Sequence, residues 1–195
     1  MTEAQWDKKL KIRTMGRIDS HADTFHYPYE PTPYTVLERL AEQGYIRKEN
    51  ILLDYGCGKG RVGLFLHYAI GCKAIGLEYD RDIFLQAEEN RKTAVRGQGV
   101  TFTHADAAAF VVEDADRFYF FNPFSVEILQ SVMGRIQESY YEKPRRMLLF
   151  FYYPNDEYLV YLMAVYALSF LEEIDCRDLF AGKDERERIL VFEWK

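Results

Sequence analysis

Apolar residues along the chain fall into short continuous runs that alternate with segments of helical periodicity. The runs predict seven strands, at 51–53, 73–78, 100–104, 118–121, 146–153, 170–176 and 188–193. The periodic segments predict helices at 34–43, 62–70, 80–95, 126–141 and 155–167. The fourth run, at 118–121, has no charged position, which is typical of a strand buried on both faces of a parallel sheet.

Strands that alternate with helices predict an α/β fold with a doubly wound, mostly parallel seven-stranded sheet. No helical pattern separates the last two strands, so we expect them to form an antiparallel C-terminal hairpin at one edge. We divide the chain into a main domain at 34–195 and an N-terminal arm, with a helical or lid segment, at 1–33. Three prolines within 28–33 exclude a regular helix there.

The first 18 residues interleave basic and apolar positions, among them Trp6 and Leu10. One interpretation is a basic arm that meets an acidic partner or a nucleic-acid backbone. The other, which we favour from the sequence, is a solvated helical face or a frayed terminus.

Composition narrows the functional classes. The chain has 195 residues, 48% of them hydrophobic, and a formal net charge of −6, so no overall basic field attracts nucleic acid. Three cysteines without paired spacing indicate reduced thiols, and four scattered histidines predict no metal site. No apolar run has the length of a membrane span and no apolar signal region opens the chain, so we expect a cytoplasmic protein.

A glycine-rich turn joins the first strand of the main domain to a helix. It reads Asp54-Tyr-Gly56-Cys-Gly58-Lys-Gly60-Arg61. Glycines at alternate positions permit positive φ angles and let a ligand approach the backbone, and the following helix offers free N–H groups. The sequence therefore predicts a ligand site at this turn.

The turn resembles motif I of the class I (Rossmann-like) S-adenosylmethionine-dependent methyltransferases, an acidic residue, a spacer and G-x-G-x-G. A dinucleotide fingerprint also fits if it is counted from Gly58 to Gly63. Asp54 favours the methyltransferase, because a carboxylate suits a ligand with sulfonium and ammonium groups better than a pyrophosphate. The resemblance implies S-adenosyl-L-methionine as cofactor, bound by Asp54, Gly56, Gly58 and Gly60.

Polar residues follow four predicted strands, at Asp54, Glu78, Asp106 and Asn122. The carboxyl ends of parallel strands meet at one edge, where open α/β sheets bind ligands. The Glu78 carboxylate is suited to two ribose hydroxyls, with the ring of Tyr79 against adenine. The resemblance implies that Asp106, the backbone N–H of Ala107 and Asn122 complete the cofactor site, although Asp106 also fits a simple turn cap.

The segment Asn122-Pro123-Phe124 resembles the [D/N]-P-P-[Y/F/W] motif of methyltransferases that act on planar amino groups. The resemblance implies that Asn122 and the Pro123 carbonyl accept from the target amine and that Phe124 stacks on the substrate. Only one proline is present, so Phe124 stands one position early. The alternative is a strand-terminating turn with an apolar anchor.

Together these features predict an S-adenosylmethionine-dependent methyltransferase that transfers to an amino group of a small molecule, a protein or an RNA base. Tyr27, Tyr29 or Phe124 is suited to cation–π contact with a sulfonium. His21 or His26 is suited to general-base work, although we favour their interpretation as polar loop residues. The alternatives are an NAD(P)-dependent oxidoreductase, for which no catalytic dyad is evident, and a non-catalytic cofactor-binding module.

Overall fold

The computed structural model describes residues 1–18, 25, 27–182 and 184–195. Its strands are β1 Ile51–Tyr55, β2 Lys73–Glu78, β3 Val100–His104, β4 Arg117–Phe120, β5 Leu148–Tyr152, β6 Leu168–Asp175 and β7 Arg188–Trp194. Its helices are α1 Glu3–Leu10, α2 Tyr34–Glu42, α3 Arg61–Ile70, α4 Arg81–Thr93, α5 Val126–Glu142 and α6 Asp156–Ala164. Two short 3-10 turns lie at Gly97–Gly99 and Arg177–Leu179.

The strands form one sheet in the order β3-β2-β1-β4-β5-β7-β6. Strands β1 to β5 are parallel, and β7 runs antiparallel to both β5 and β6. The predicted doubly wound sheet and its C-terminal hairpin are confirmed. Strand order reverses between β1 and β4, which places a crevice beyond their carboxyl ends.

Side-chain alternation along the central strands separates two apolar cores, one on each face of the sheet. Leu52 and Phe150 belong to the core on one face, and their neighbours Leu53 and Phe151 belong to the core on the other. Helices cover both faces, so every residue of β4 and β5 is buried. This explains why these strands read as continuous apolar runs.

Helix α6 ends three residues earlier than its apolar pattern predicted. The chain leaves the helix at Val165, whose φ and ψ of −77° and 107° are extended, and Leu168 already pairs with Trp194 of β7. Residues 165–167 therefore connect the helix to β6, which begins two residues earlier than predicted.

The N-terminal residues form a packed helix, whereas from the sequence we favoured a solvated helical face or a frayed terminus. Thr2 and Gln5 form a capping box at the start of α1. The ring of Trp6, 7% exposed, lies 5.7 Å from that of Tyr34 and 5.0 Å from that of Phe65, measured between centroids. These contacts fasten α1 to α2 and α3, next to the glycine turn.

Replacing Trp6 by Ala should lower the free energy of unfolding by about 3 kcal/mol, because a large aromatic side chain is lost from a packed site. Urea denaturation would measure the change. The matched control is Tyr166→Ala, which removes a 99% exposed ring and should stay within about 0.5 kcal/mol. Equal effects of the two substitutions would contradict the packing role of α1.

Candidate functional site

A cavity lies beyond the carboxyl ends of β1, β2 and β4, at the crevice that the strand order creates. Residues 27–32, which we call the strap, cover it from the N-terminal side. Most of the site residues predicted from the sequence line it: Asp54, Gly56, Glu78, Tyr79, Ala107, Asn122, Pro123 and Phe124. Gly58, Gly60 and Asp106 are not among the lining residues.

The three glycines of the turn all have positive φ, and each is approached closely by a different part of the chain. A Cβ on Gly56 would lie 2.4 Å from Pro123 Cβ, and one on Gly58 would lie 2.1 Å from the Tyr29 ring. A Cβ on Gly60 would lie 2.2 Å from the ring of Phe102. Gly58 and Gly60 therefore shape the site through packing rather than as walls of the cavity.

Asp54 places a buried carboxylate among the residues that line the cavity. It is 3% exposed, and its Oδ2 has no hydrogen-bond partner within the described part of the chain. Burial, and secondly the nearby Glu78 carboxylate, raise the pKa of Asp54 well above its usual value. A cationic ligand group opposite Oδ2 would relieve this arrangement.

Glu78 links the glycine turn to the end of β2. Its Oε2 accepts from the N–H of Gly58 at 2.9 Å, and its Oε1 accepts from the N–H of Asp80 at 2.9 Å. Burial raises the pKa of Glu78, while these backbone hydrogen bonds oppose the rise. Each oxygen keeps acceptor capacity, as the predicted contact with ribose hydroxyls requires.

The residues predicted to meet adenine lie at the ends of β2 and β3. Tyr79 and Ala107 line the cavity, and Tyr79 is 52% exposed. The Asp106 carboxylate instead accepts from the N–H of Ala108 at 2.9 Å, which is the turn-cap geometry weighed as the alternative. Its contact with adenine stays a prediction.

Asn122 adopts a left-handed backbone conformation, with φ of 39°, directly after β4. Its Nδ2 donates to the carbonyl of Tyr153 at 2.7 Å, and its Oδ1 accepts from the N–H of Asn155 at 3.2 Å. Tyr153, which follows β5, also has a positive φ, of 50°. Two adjacent strand ends therefore share a strained conformation of the kind found at functional sites.

Phe124 lines the cavity and is also part of the core, so its stacking on a substrate stays a prediction. It is 3% exposed and packs edge-on against Tyr55 and Phe120, at centroid distances of 6.3 Å and 6.5 Å. Its carbonyl accepts from the Tyr158 hydroxyl at 2.7 Å. These contacts also fit the alternative weighed from the sequence, a strand-terminating turn with Phe124 as its apolar anchor.

Hydrogen bonds join the strap to two other segments of the chain. The N–H of Tyr27 donates to the Pro123 carbonyl at 3.3 Å, and the Tyr29 hydroxyl donates to the Thr14 carbonyl at 2.5 Å. Ile18 and Tyr29 form an antiparallel bridge. The strap thus borders the cavity, and whether it acts as a lid or as a proline-stiffened connection stays a prediction. The proposed bases His21 and His26 lie outside the described residues.

Arg61, which the sequence analysis did not select, also lines the cavity. It is 3% exposed although it opens α3, where the helix dipole disfavours a cation. Its Nη1 pairs with Glu3 of α1 and donates to the Thr32 carbonyl at 3.0 Å, and its Nε donates to Thr14 Oγ1 at 2.7 Å. The sequence does contain a signal for Arg61, since it is a cationic residue at the start of a predicted helix, directly after the glycines.

Comparisons with known proteins place these features in context. No protein-family model matches the chain. A protein-lysine N-methyltransferase of Saccharolobus islandicus (strain REY15A) is 33% identical over 75 residues, 37% of this chain. The match spans about half, 47%, of that relative's own length.

Solved structures are similar over nearly the whole chain. An RNA methyltransferase from Salinibacter ruber, in complex with S-adenosyl-L-homocysteine, is 20% identical with a TM-score of 0.55, over 85% of this chain and 92% of that one. The glycopeptide N-methyltransferase MtfA is 13% identical with a TM-score of 0.63, over 90% and 92%. The chain has the class I methyltransferase fold. The resemblance drawn from the glycine turn is confirmed at this level.

A third similar structure is the magnesium protoporphyrin IX methyltransferase of Synechocystis PCC 6803 with bound SAM, 17% identical with a TM-score of 0.59, over 83% of this chain and 77% of that one.

Within the described residues, no helix is both long and apolar enough to span a bilayer. Those residues also contain no group of three side chains suited to a metal ion.

Replacing Asp54 by Asn should stabilise the ligand-free protein by about 1–3 kcal/mol near pH 7, because a buried carboxylate without a partner loses its charge. The native pKa lies above the unfolded value, so stability is complete below about pH 4 and is lost as pH rises through the native pKa. The advantage of the variant should therefore grow with pH. Urea denaturation between pH 5 and 8 would measure it.

The control is Asp82→Asn, at an exposed position of α4, which should show no comparable gain. An Asp54→Asn variant that is less stable than the unmodified protein across this range would contradict the view that the carboxylate lacks a partner.

Proposed function

We propose that the chain is an S-adenosylmethionine-dependent methyltransferase that acts on an amino group. The observation that supports this most is the buried, unpartnered Asp54 Oδ2 at the cavity, beside a glycine turn and Glu78. The Asp54 carboxylate suits a cationic group of a ligand, and the Glu78 carboxylate suits the hydroxyls of a ribose. The fold and the lysine N-methyltransferase relative support the same activity.

When bound, S-adenosylmethionine supplies a methyl group on a positively charged sulfur, which a nucleophile displaces in line. Asp54 would hold the ammonium group and Glu78 the ribose hydroxyls, while Tyr79 and Ala107 would border the adenine. The chain would accelerate transfer mainly by positioning the acceptor amine, because orientation removes much of the entropic barrier.

Asn122 and Pro123 are the residues that we propose for the acceptor side. Among the described residues, Asn122 Oδ1 accepts one hydrogen bond, from Asn155, and the Pro123 carbonyl accepts one, from Tyr27. A carbonyl oxygen has two lone pairs, so each keeps one for an amine N–H. The fixed turn around Asn122 would hold these acceptors in place.

Negative charge lies near Asn122 and Pro123, the residues that we propose for the methyl acceptor. Burial, followed by the charges of Glu157 and Glu127, raises the pKa of Tyr27, whose backbone lies against Pro123. These carboxylates open the first turns of α6 and α5 at the same edge of the sheet. They favour an acceptor that is cationic in solution, such as a lysine side chain, over the phosphates of RNA. Its ammonium group must release one proton to solvent before the neutral nitrogen can attack. We therefore propose a protein amino group as the acceptor, with small amines as the alternative.

Cofactor binding is testable by thermal melting with S-adenosylhomocysteine and with NADH. At a hundredfold excess over Kd the adenosyl ligand should stabilise the protein by about 2.7 kcal/mol, and Glu78→Ala should remove most of this shift. Glu89→Ala, on the exposed surface of α4, is the control. A shift with NADH alone would favour the oxidoreductase. Adenosyl binding without transfer to any acceptor would favour the non-catalytic module.

Replacing both Glu127 and Glu157 by Gln should lower kcat/KM for a lysine-rich peptide about threefold to tenfold at low salt, because attraction to the cationic acceptor is lost. Transfer of a labelled methyl group would measure the change, and cofactor affinity should stay constant. Glu142→Gln, at the other end of α5, is the matched control. Equal transfer to a peptide with Arg at every Lys position, or transfer to RNA alone, would exclude lysine as the acceptor.

A further inference from the structure

The ends of helices α1 and α4 are joined, which brings two groups of basic side chains to one surface. The carbonyl of Leu10 accepts from the N–H of Val95 at 3.0 Å. Asn90 binds the backbone of Arg13 twice, since its Oδ1 accepts from the N–H at 2.8 Å and its Nδ2 donates to the carbonyl at 3.2 Å. These bonds fix the segment after α1 against the last turn of α4.

We call the result the basic surface. It consists of seven cationic residues, six of them exposed: Lys8, Lys9, Lys11, Arg13, Arg91, Lys92 and Arg96. Arg91 and Lys92 form ion pairs with Glu88 and Glu89, at 2.9 Å and 2.7 Å. The other five have no ion pair among the described residues. Positive charge is thus concentrated on one surface of a chain whose formal net charge is −6.

Helix dipoles explain only part of this arrangement. The cations in the last turns of α1 and α4 are favourable there in any case, because a helix dipole is negative at its C-terminus. Lys11, Arg13 and Arg96 lie beyond the two helices. Among the described residues, Lys11 and Arg13 use only backbone atoms in their hydrogen bonds. Their charges therefore remain available to an anionic partner.

The aromatic rings at the basic surface lie under cations. Lys9 Nζ is 4.4 Å from the centroid of Trp6, which is 7% exposed, and 5.5 Å from that of Tyr68. The guanidinium carbon of Arg96 is 5.7 Å from the same Tyr68 centroid. Proteins that bind single-stranded nucleic acid stack bases on accessible rings, so this surface suits carboxylates better than bases.

Helix α4 separates the basic surface from the cavity. It begins after Asp80, which lines the cavity, and its last turn carries Arg91 and Lys92. Its 13 residues give a separation of about 20 Å at a rise of about 1.5 Å per residue. An extended chain needs at least about six residues to cover this distance. Only a partner of that length or more reaches both places.

We propose that the basic surface binds an acidic segment of the protein whose amino group accepts the methyl group. The inference rests on the proposed function and adds to it a second contact with the substrate, outside the cavity. Attraction between carboxylates and the basic surface would raise the local concentration of the acceptor at the cavity. A peptide of fewer than about six residues would gain nothing from it.

Binding is tested with a fluorescent peptide of Glu and Gly residues, by anisotropy at low salt. The affinity should fall about tenfold or more in a variant that lacks three exposed cations, because attraction to the carboxylates is lost. This triple variant is Lys8→Gln, Lys11→Gln and Arg13→Gln. The control removes the same charge from the α5 side and the chain end, and should change the affinity less than about twofold. It is Arg135→Gln, Lys143→Gln and Lys195→Gln.

Methyl transfer then connects the basic surface with the cavity. One lysine peptide carries about six Glu residues after a Gly/Ser linker of about 12 residues, which spans about 20 Å. A second peptide has Gln in place of Glu. With the unmodified protein, kcat/KM should be about tenfold higher for the Glu peptide at low salt. The triple variant should remove this advantage and leave kcat/KM for the Gln peptide within about twofold.

Equal affinity of the triple variant and the unmodified protein for the Glu and Gly peptide would overturn the inference. So would transfer to the two lysine peptides at equal kcat/KM, which leaves the proposed function intact. Tighter binding of a single-stranded RNA of the same charge, lost in the triple variant, would identify a nucleic-acid surface and also overturn it. Failure to methylate any amine with the adenosyl cofactor bound would instead overturn the proposed function, and this inference with it.

Discussion

The close approach of three chain segments to the glycine turn is the constraint on which the site depends. Gly56 faces Pro123, Gly58 faces the ring of Tyr29, and Gly60 faces the ring of Phe102. Each contact requires both a missing Cβ and a positive φ, so the turn fixes the loop after β4, the strap and β3 at once. The cavity is the space that remains between these segments.

A second constraint comes from charge in the interior. Arg61 is buried at a helix start, and it needs Glu3 from α1 and the polar groups of Thr14 and Thr32 to be stable there. Asp7 and Tyr34 complete the same network. The N-terminal helix is thus part of the site through this network, although it lies outside the sheet.

Much of the fold follows from local sequence. Continuous apolar runs and helical periodicity predicted all seven strands and the five helices of the main domain, because burial on both sides of a parallel sheet leaves a strong pattern. Helix α1 was among the expected alternatives, but its packing was missed, since its basic residues suggested a solvated surface while Trp6 and Leu10 supply the buried contacts. The end of α6 depends on pairing of the distant Trp194, which no local pattern contains.

The site was predictable where function follows from position at a strand end. Asp54, Glu78 and Asn122 line the cavity because parallel strands bring their carboxyl ends together. The burial of Phe124 was weighed only as an alternative, and the burial of Arg61 was not predicted, because both follow from tertiary packing. Motif spacing identifies residue types at a turn but does not give the direction of each side chain.

The unpartnered carboxylate of Asp54 has a consequence for the life of the protein in a cell. A buried charge without a counter-ion makes the ligand-free form less stable than its packing alone would allow. Quality-control proteases act on the unfolded fraction, which rises as stability falls. A ligand that neutralises this charge would slow degradation, so the amount of protein would follow the supply of its own small-molecule partner.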